Sequence, residues 1–393
     1  MKTLLESNIW KFYLIKALGI RFIAPIRILY LLYFGLSYSQ IGMMELAAAV
    51  VIVLLEIPTG VFADIVGRKS SRMIAYLLSI IAFSCLSFGS GAAIFIFGWA
   101  LSGAADAFES GASDAIIFDT LKELGRENEY LKLKSRFLAI STAATVIGSL
   151  TGALLYKVDH RLPWYLITLT IVISALIFAT VKEPKSLLKK NDFTYQWNEY
   201  KKSFWLSLAN IDVLKLIGVG IILAIPMYVF VTLVNQPYLL SRGFGIESLG
   251  VVFAFITVIS GAAAAFSSLL EKKLKRRLSF LFIFIAMASV LVALGMTKNM
   301  AALTLVVIFY IVDNYKNIIL DNYINLEIDS GSRATILSIQ SFVNNISISV
   351  LFVFIGYLVD LYSIDKVLIY MGVAVGIATI PFWTISNRVK TVA

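Results

Sequence analysis

Three sets of charged residues interrupt stretches of this sequence that are otherwise apolar: Lys16, Arg21 and Arg27; Asp106, Glu109 and Asp114; and Asp313, Lys316 and Asp321. A charge placed in hydrocarbon costs about 2.5–3.5 kcal/mol on insertion scales, so each set marks a substrate or proton path by default. Carboxylates there can take up and release protons, and the cations can balance them or bind an anion. Glu56, in the run Glu56-Ile57-Pro58-Thr59-Gly60, is a further proton-binding candidate; its alternative role is a hydrogen bond to backbone groups freed by Pro58. Asn235 and Gln236, and Asn344 and Asn345, supply uncharged amides. In lipid, amides serve first to join helices, which leaves substrate contact as their secondary role. The first apolar stretch rises from about 9 to 36 and the fourth descends from about 92 to 118, with centres near residues 22 and 105, so Arg21 and Asp106 fall at the midplane and are expected to form a charge pair; the alternatives for Arg21 are another carboxylate such as Glu56 or Glu45, or solvation in a watery cavity.

Positioning these residues requires helices that cross a bilayer. The sequence is 59% hydrophobic and 15% charged, where soluble domains carry about 25% charge. Its mean hydropathy is +0.87. The apolar residues recur in runs of about 20, the length that crosses roughly 30 Å of hydrocarbon. They predict an all-α integral membrane protein of about twelve transmembrane helices: 9–36, 41–63, 73–89, 92–118, 137–156 and 163–181, then 214–240, 247–270, 278–296, 300–326, 335–359 and 366–386.

A polar segment, 182–213, separates a first six-helix bundle, 1–181, from a second, 214–393. Its Trp197, Phe204 and Trp205 alternate with lysines, a pattern suited to the inner leaflet. Basic residues concentrate in alternate loops, which predicts that both termini and this segment are cytoplasmic. The expected location is the cytoplasmic membrane of a prokaryote.

Several function classes are disfavoured. The net charge of +10 is dispersed in short clusters between apolar runs, which argues against a nucleic-acid partner. Cys85 is the only cysteine and His160 the only histidine, so neither a disulfide nor a Cys-x-x-Cys metal site can form. The remaining carboxylates and hydroxyls are a poor basis for an enzyme. His160 is expected to be a solvated loop residue. No phosphate-binding Gly-rich loop of the Walker type is present, which removes ATP as the energy source. The first apolar stretch carries four basic residues and no small-residue cleavage site, so it is expected to be retained as a helix.

The two halves read as repeats. Asp64 followed by Arg68, Lys69 and Arg72 closes the second helix, and Glu271 followed by the basic run 272–277 closes the eighth, 207 residues later. The first of these loops, Gly60-Val61-Phe62-Ala63-Asp64-Ile65-Val66-Gly67-Arg68-Lys69, resembles the signature G-x-L-A-D-R-x-G-R-K of the major facilitator superfamily. Ile65 and Phe62 are its two departures. Physically, Gly60 is expected to allow close helix approach and Gly67 a tight turn, with Asp64 meeting cations or a helix N-terminus.

The resemblance implies two six-helix halves that alternate access to a midplane site, lined by the first, fourth, seventh and tenth helices. It also implies a conformational latch made of Gly60, Asp64, Gly67, Arg68 and Lys69, with Asp119 as the acidic partner of the loop arginine. The expected substrate and proton site comprises Arg21, Arg27, Glu56, Asp106, Glu109, Asp313, Lys316 and Asn235. The drug and metabolite efflux branch fits only in part. Trp99 replaces the arginine of R-x-x-x-G before Gly103, so that basic role is expected to pass to Arg21 or Arg27. Gly148 and Gly152 keep a G-x-x-x-G with no following proline and are expected to pack helices.

The expectation is therefore proton-coupled efflux of a small amphipathic solute by a monomer in contact with lipid, with no cofactor and a proton as coupling ion. The alternatives are anion uptake or exchange on Arg21 and Arg27, and a receptor or lipid-handling protein on the same scaffold.

Overall fold

The computed structural model describes residues 2–110, 112–184, 211–327 and 333–386. All regular structure among them is helical. The first half comprises α1 (Lys2–Leu18), α2 (Arg27–Tyr33), α3 (Tyr38–Val66), α4 (Arg68–Phe88), α5 (Ala92–Glu109), α6 (Ala112–Leu124), α7 (Tyr130–Val158) and α8 (Leu162–Ala179), with a 3-10 turn at Glu127–Glu129. The second comprises α9 (Ile211–Val229), a π segment (Phe230–Val234), α10 (Asn235–Leu240), α11 (Ile246–Met296), α12 (Ala302–Glu327), α13 (Arg333–Leu361) and α14 (Ile364–Ser386). Eight of the described helical stretches are long and apolar enough to cross a membrane, and Ile246–Ile259 and Asn345–Leu361 are shorter apolar helices.

Five expected helices differ in form. The first, expected as 9–36, is broken: residues 19–26 are not helical. Gly19 disfavours helix, and Pro25 lacks an N–H and forces the residue before it out of the helical region. The fourth breaks after Glu109, so Asp114 belongs to a separate helix. The seventh passes through the π segment four residues after Pro226. The chain is helical from Ile246 to Met296, with no non-helical residue between the expected eighth and ninth helices. The central segment between residues 184 and 211, with Trp197, Phe204 and Trp205, and the side chain of Asn344 lie outside the described residues.

Two compact units divide the described residues. The first holds 2–36, 43–184 and 246–254; the second holds 37–42, 211–245 and 255 onward. In the first, Phe12, Tyr76, Ile116, Phe137 and Phe178 form a buried apolar cluster joining α1, α4, α6, α7 and α8. In the second, Phe230, Phe284 and Phe309 are fully buried. The start of α3 is held in the second unit, where the Asp360 carboxylate accepts the Tyr38 and Ser39 N–H groups at 2.8 and 2.9 Å. These are the orphan donors that every helix start must satisfy.

The repeat is written into local geometry. The Tyr30 hydroxyl donates to the Leu86 carbonyl, and 208 residues later the Tyr238 hydroxyl donates to the Leu294 carbonyl. Gly35 (φ 82°) and Gly243 (φ 92°), also 208 apart, end α2 and α10 with the same left-handed turn. Matching bonds close each turn, from Leu36 N–H to the Leu31 carbonyl and from Phe244 N–H to the Leu239 carbonyl.

Candidate functional site

Both units disturb their first span at the same point. Residues 19–26 precede α2, which begins at Arg27; the π segment precedes α10, which begins at Asn235, 208 residues on. The residues before them carry nearly the same distorted backbone, Ile26 at φ −135°, ψ 0° and Val234 at φ −128°, ψ −19°. Interrupted helices in corresponding positions of two halves are the usual pointer to a transporter's binding site, because they free backbone groups and aim polar side chains. Neither interruption was legible as such in the apolar pattern, although Gly19 and Pro25 around Arg21 were the available signal.

In the first unit, Arg27 donates to Glu45 at 2.7 Å and its guanidinium lies 5.1 Å from the centre of the Trp99 ring. A cation supplied by the first span thus covers the ring that stands where the efflux pattern has arginine. Among the described residues Arg21 and Asp106 form no ion pair with each other, contrary to the depth argument. The eight non-helical residues change the rise and rotation of the first span, and a pairing derived from a continuous helix does not survive them. Glu109 pairs instead with Arg72, whose guanidinium also sits 4.5 Å from the centre of the Tyr76 ring. Asp114 reaches Lys134 at 3.0 Å on the surface. Glu56 is exposed, and it is the Thr59 hydroxyl that bonds the Leu55 and Ala107 carbonyls beside Pro58, at 2.8 and 3.0 Å.

Gly148 and Gly152 of α7 do more than join two helices. A methyl group on Gly148 would stand 2.7 Å from the Arg21 backbone nitrogen and carbonyl carbon, and one on Gly152 would stand 2.7 Å from the Phe22 carbonyl carbon. The two glycines form a bed for the broken stretch of the first span.

At one end of this unit Arg68 pairs with Asp119, joining the start of α4 to α6. Gly67 takes φ 118°, and a side chain there would meet the Glu183 carboxylate at 2.8 Å, so the turn requires glycine. Glu183 in turn accepts the Lys69 N–H at 3.1 Å. The Lys69 and Lys11 ammonium groups donate to the Ala179 and Thr180 carbonyls at the end of α8, where cations suit the helix dipole. Gly60 departs from expectation: nothing lies within 4 Å of the position a methyl would take, so it permits no close approach. Asp64 is exposed.

Sequence reasoning missed Asn8. This fully buried amide donates to the Lys182 carbonyl at 2.8 Å, accepts the Lys182 N–H at 2.9 Å and donates to the Thr120 hydroxyl at 3.3 Å. A single amide entering an apolar run was its only signal. His160 is likewise not simply solvated; it stacks on Tyr33 at 3.9 Å and meets Tyr156 edge-on.

In the second unit, Lys316 and Asp313 form a buried ion pair one helical turn apart on α12, 2% and 7% exposed, and Asn317 donates to the other Asp313 oxygen at 3.1 Å. Asn235 and Gln236 are buried on α10; the Asn235 amide bonds the Tyr310 hydroxyl of α12, with its Oδ1 left without a donor among the described residues. Glu271, the counterpart of Asp64, is held by hydroxyls: Ser279 donates to it at 2.7 Å, and Tyr323 donates to its other oxygen. Asp321 is exposed.

An all-helical membrane protein with repeated halves, broken first helices and buried ion pairs inside its spans has the construction of a solute transporter. Comparison with known proteins places it: the family model of the major facilitator superfamily matches residues 12–351, and the chain belongs to that family. It is therefore a multi-pass secondary transporter of small molecules, not an enzyme. The chain is 25% identical over 278 residues to YxaM, an uncharacterized MFS-type transporter of Bacillus subtilis (strain 168), covering 69% of this chain and 67% of that protein. Its fold is similar to that of the nucleoside transporter NupG, with a TM-score of 0.79 and 11% identity over 97% of this chain and 98% of that one. It is also similar to a bacterial homologue of the human lysosomal transporter Spinster in an inward-facing, occupied conformation, with a TM-score of 0.74 and 13% identity over 98% and 97% of the two chains.

Proposed function

We propose that the chain exports a small amphipathic organic solute in exchange for protons, by alternating access of its two halves in a prokaryotic cytoplasmic membrane. Both termini and the basic loops lie at the cytoplasmic face in this reading, and the working unit is one chain. The observation that carries proton coupling is the buried Asp313–Lys316 pair with Asn317. One proton on Asp313 removes the charge that holds Lys316 and weakens the bond from Asn317, so a single protonation rearranges three side chains in a site with little water. Trp99, with the Arg27–Glu45 pair beside it, offers an aromatic face next to charge, which suits an amphipathic solute. The Arg68–Asp119 pair supports a latch at the cytoplasmic end, with Gly67 setting its turn.

The test is the purified chain in proteoliposomes with a pH-sensitive dye inside, challenged with amphipathic cations, zwitterions and anions. At least one compound should drive proton movement that Asp313→Asn abolishes. Solute flux with no proton movement, or unchanged coupling in Asp313→Asn, would overturn the reading.

A further inference from the structure

We propose that the break in the first span, residues 19–26, recognises an anionic group on the transported solute, a carboxylate or phosphate, and that Arg21 binds it. The inference rests on the transporter reading above and specifies the solute's charge.

Non-helical backbone at membrane depth persists only where protein buries it or water reaches it. One side of the break is protein, since Phe22, Ile23, Pro25 and Ile26 are buried and the Gly148 and Gly152 bed lies against Arg21 and Phe22. The few backbone bonds within it are single turns, from Ala24 N–H to the Arg21 carbonyl and from Ile26 N–H to the Ile23 carbonyl, both at 3.1 Å. The Arg21 side chain is exposed. Hydrocarbon on that side would leave both a guanidinium and peptide groups unsolvated, so the open side is an aqueous cavity.

Four cations of this unit pair with acids, Arg27 with Glu45, Arg68 with Asp119, Arg72 with Glu109 and Lys134 with Asp114. Among the described residues Arg21 forms no ion pair, and neither does Lys16, half-buried in the last turn of α1. Asp106 and Glu56, both inside these spans, do not pair with Arg21. A wet cavity with an unmatched guanidinium favours an anion, which the planar fork of arginine grips through two parallel hydrogen bonds. A lipid phosphate has the same chemistry but would approach from the bilayer, and the experiment separates the two.

With Cys85 replaced by serine, Arg21→Cys in intact vesicles should react with charged, membrane-impermeant methanethiosulfonates at least tenfold faster than Leu176→Cys, an exposed apolar position on α8. Separately, benzoate, phenyl phosphate and inorganic phosphate are tested by thermal unfolding of the purified full chain. At least one should raise the midpoint with concentration where neutral benzamide does not; Arg21→Gln should abolish the rise and Arg21→Lys retain part of it. A thiol at position 21 that reacts only with lipid-soluble maleimides places Arg21 against lipid and overturns the proposal. So does the absence of stabilisation by every anion, or stabilisation that persists in Arg21→Gln. Neither measurement reads proton flux, so failure of proton coupling leaves this result distinct.

Discussion

Gly152→Ala tests the packing of the broken span directly. The added methyl would stand 2.7 Å from the Phe22 carbonyl carbon and closer still to its oxygen. Comfortable carbon contacts begin near 3.5 Å, so the shortfall is about 0.8 Å or more. Every atom in the way is backbone, and no rotamer change can relieve it; α7 or the 19–26 stretch must move. Overpacking of this kind costs about 1–3 kcal/mol, and sometimes more, against a gain of at most about 1 kcal/mol from replacing glycine in a helix. Gly152→Ala should therefore lose about 2 kcal/mol. Gly60→Ala, with open space around it, should be neutral or gain up to about 1 kcal/mol. Thermal unfolding of the two purified variants against the parent gives the comparison, and solute flux should fall in Gly152→Ala alone. If Gly152→Ala unfolds at or above the midpoint of Gly60→Ala, the account of the glycine bed is wrong.

Two further outcomes are expected. Tyr30→Phe and Tyr238→Phe should each cost about 1 kcal/mol in unfolding measurements, and by similar amounts, because each leaves one buried carbonyl without its hydroxyl donor; a large inequality would break the equivalence of the repeats. Lys316→Met should cost about 3–5 kcal/mol by stranding Asp313, and adding Asp313→Leu should recover most of it. Strictly additive losses in that double-mutant cycle would show that the two side chains act independently.

The bilayer-spanning helices and the turn at Gly67 were legible because both are local: apolar run length and motif register do not depend on the rest of the fold. The repeat was legible too, its offset read as 207 from the acidic and basic loops and found as 208 in the tyrosine clasps. Partner choice was not. Arg27 with Glu45 and Arg72 with Glu109 are decided by the rotation of each span, and the break at 19–26 resets that rotation in a way run length cannot show. Gly148 and Gly152 were read as a helix-packing pair because small residues four apart on a helix have that use most often; their contact with non-helical backbone depends on the break itself. Gly60 shows the reverse error, a motif glycine given a steric role where the structure leaves space.

The equal spacing of the tyrosine clasps and of the interruptions has an evolutionary consequence. Where the two halves correspond, their clasp residues are the same type, Tyr30 and Tyr238, Gly35 and Gly243, whereas the residue that opens the short helix after each interruption is Arg27 in one half and Asn235 in the other. Duplication freed each copy from having to supply every kind of contact. At these openings one half presents a charge and the other a neutral amide, so a single chain offers two different chemistries at matched points of one inherited frame. New solute preferences could then arise by changing the residues at these openings in one half while the clasps of both stay intact.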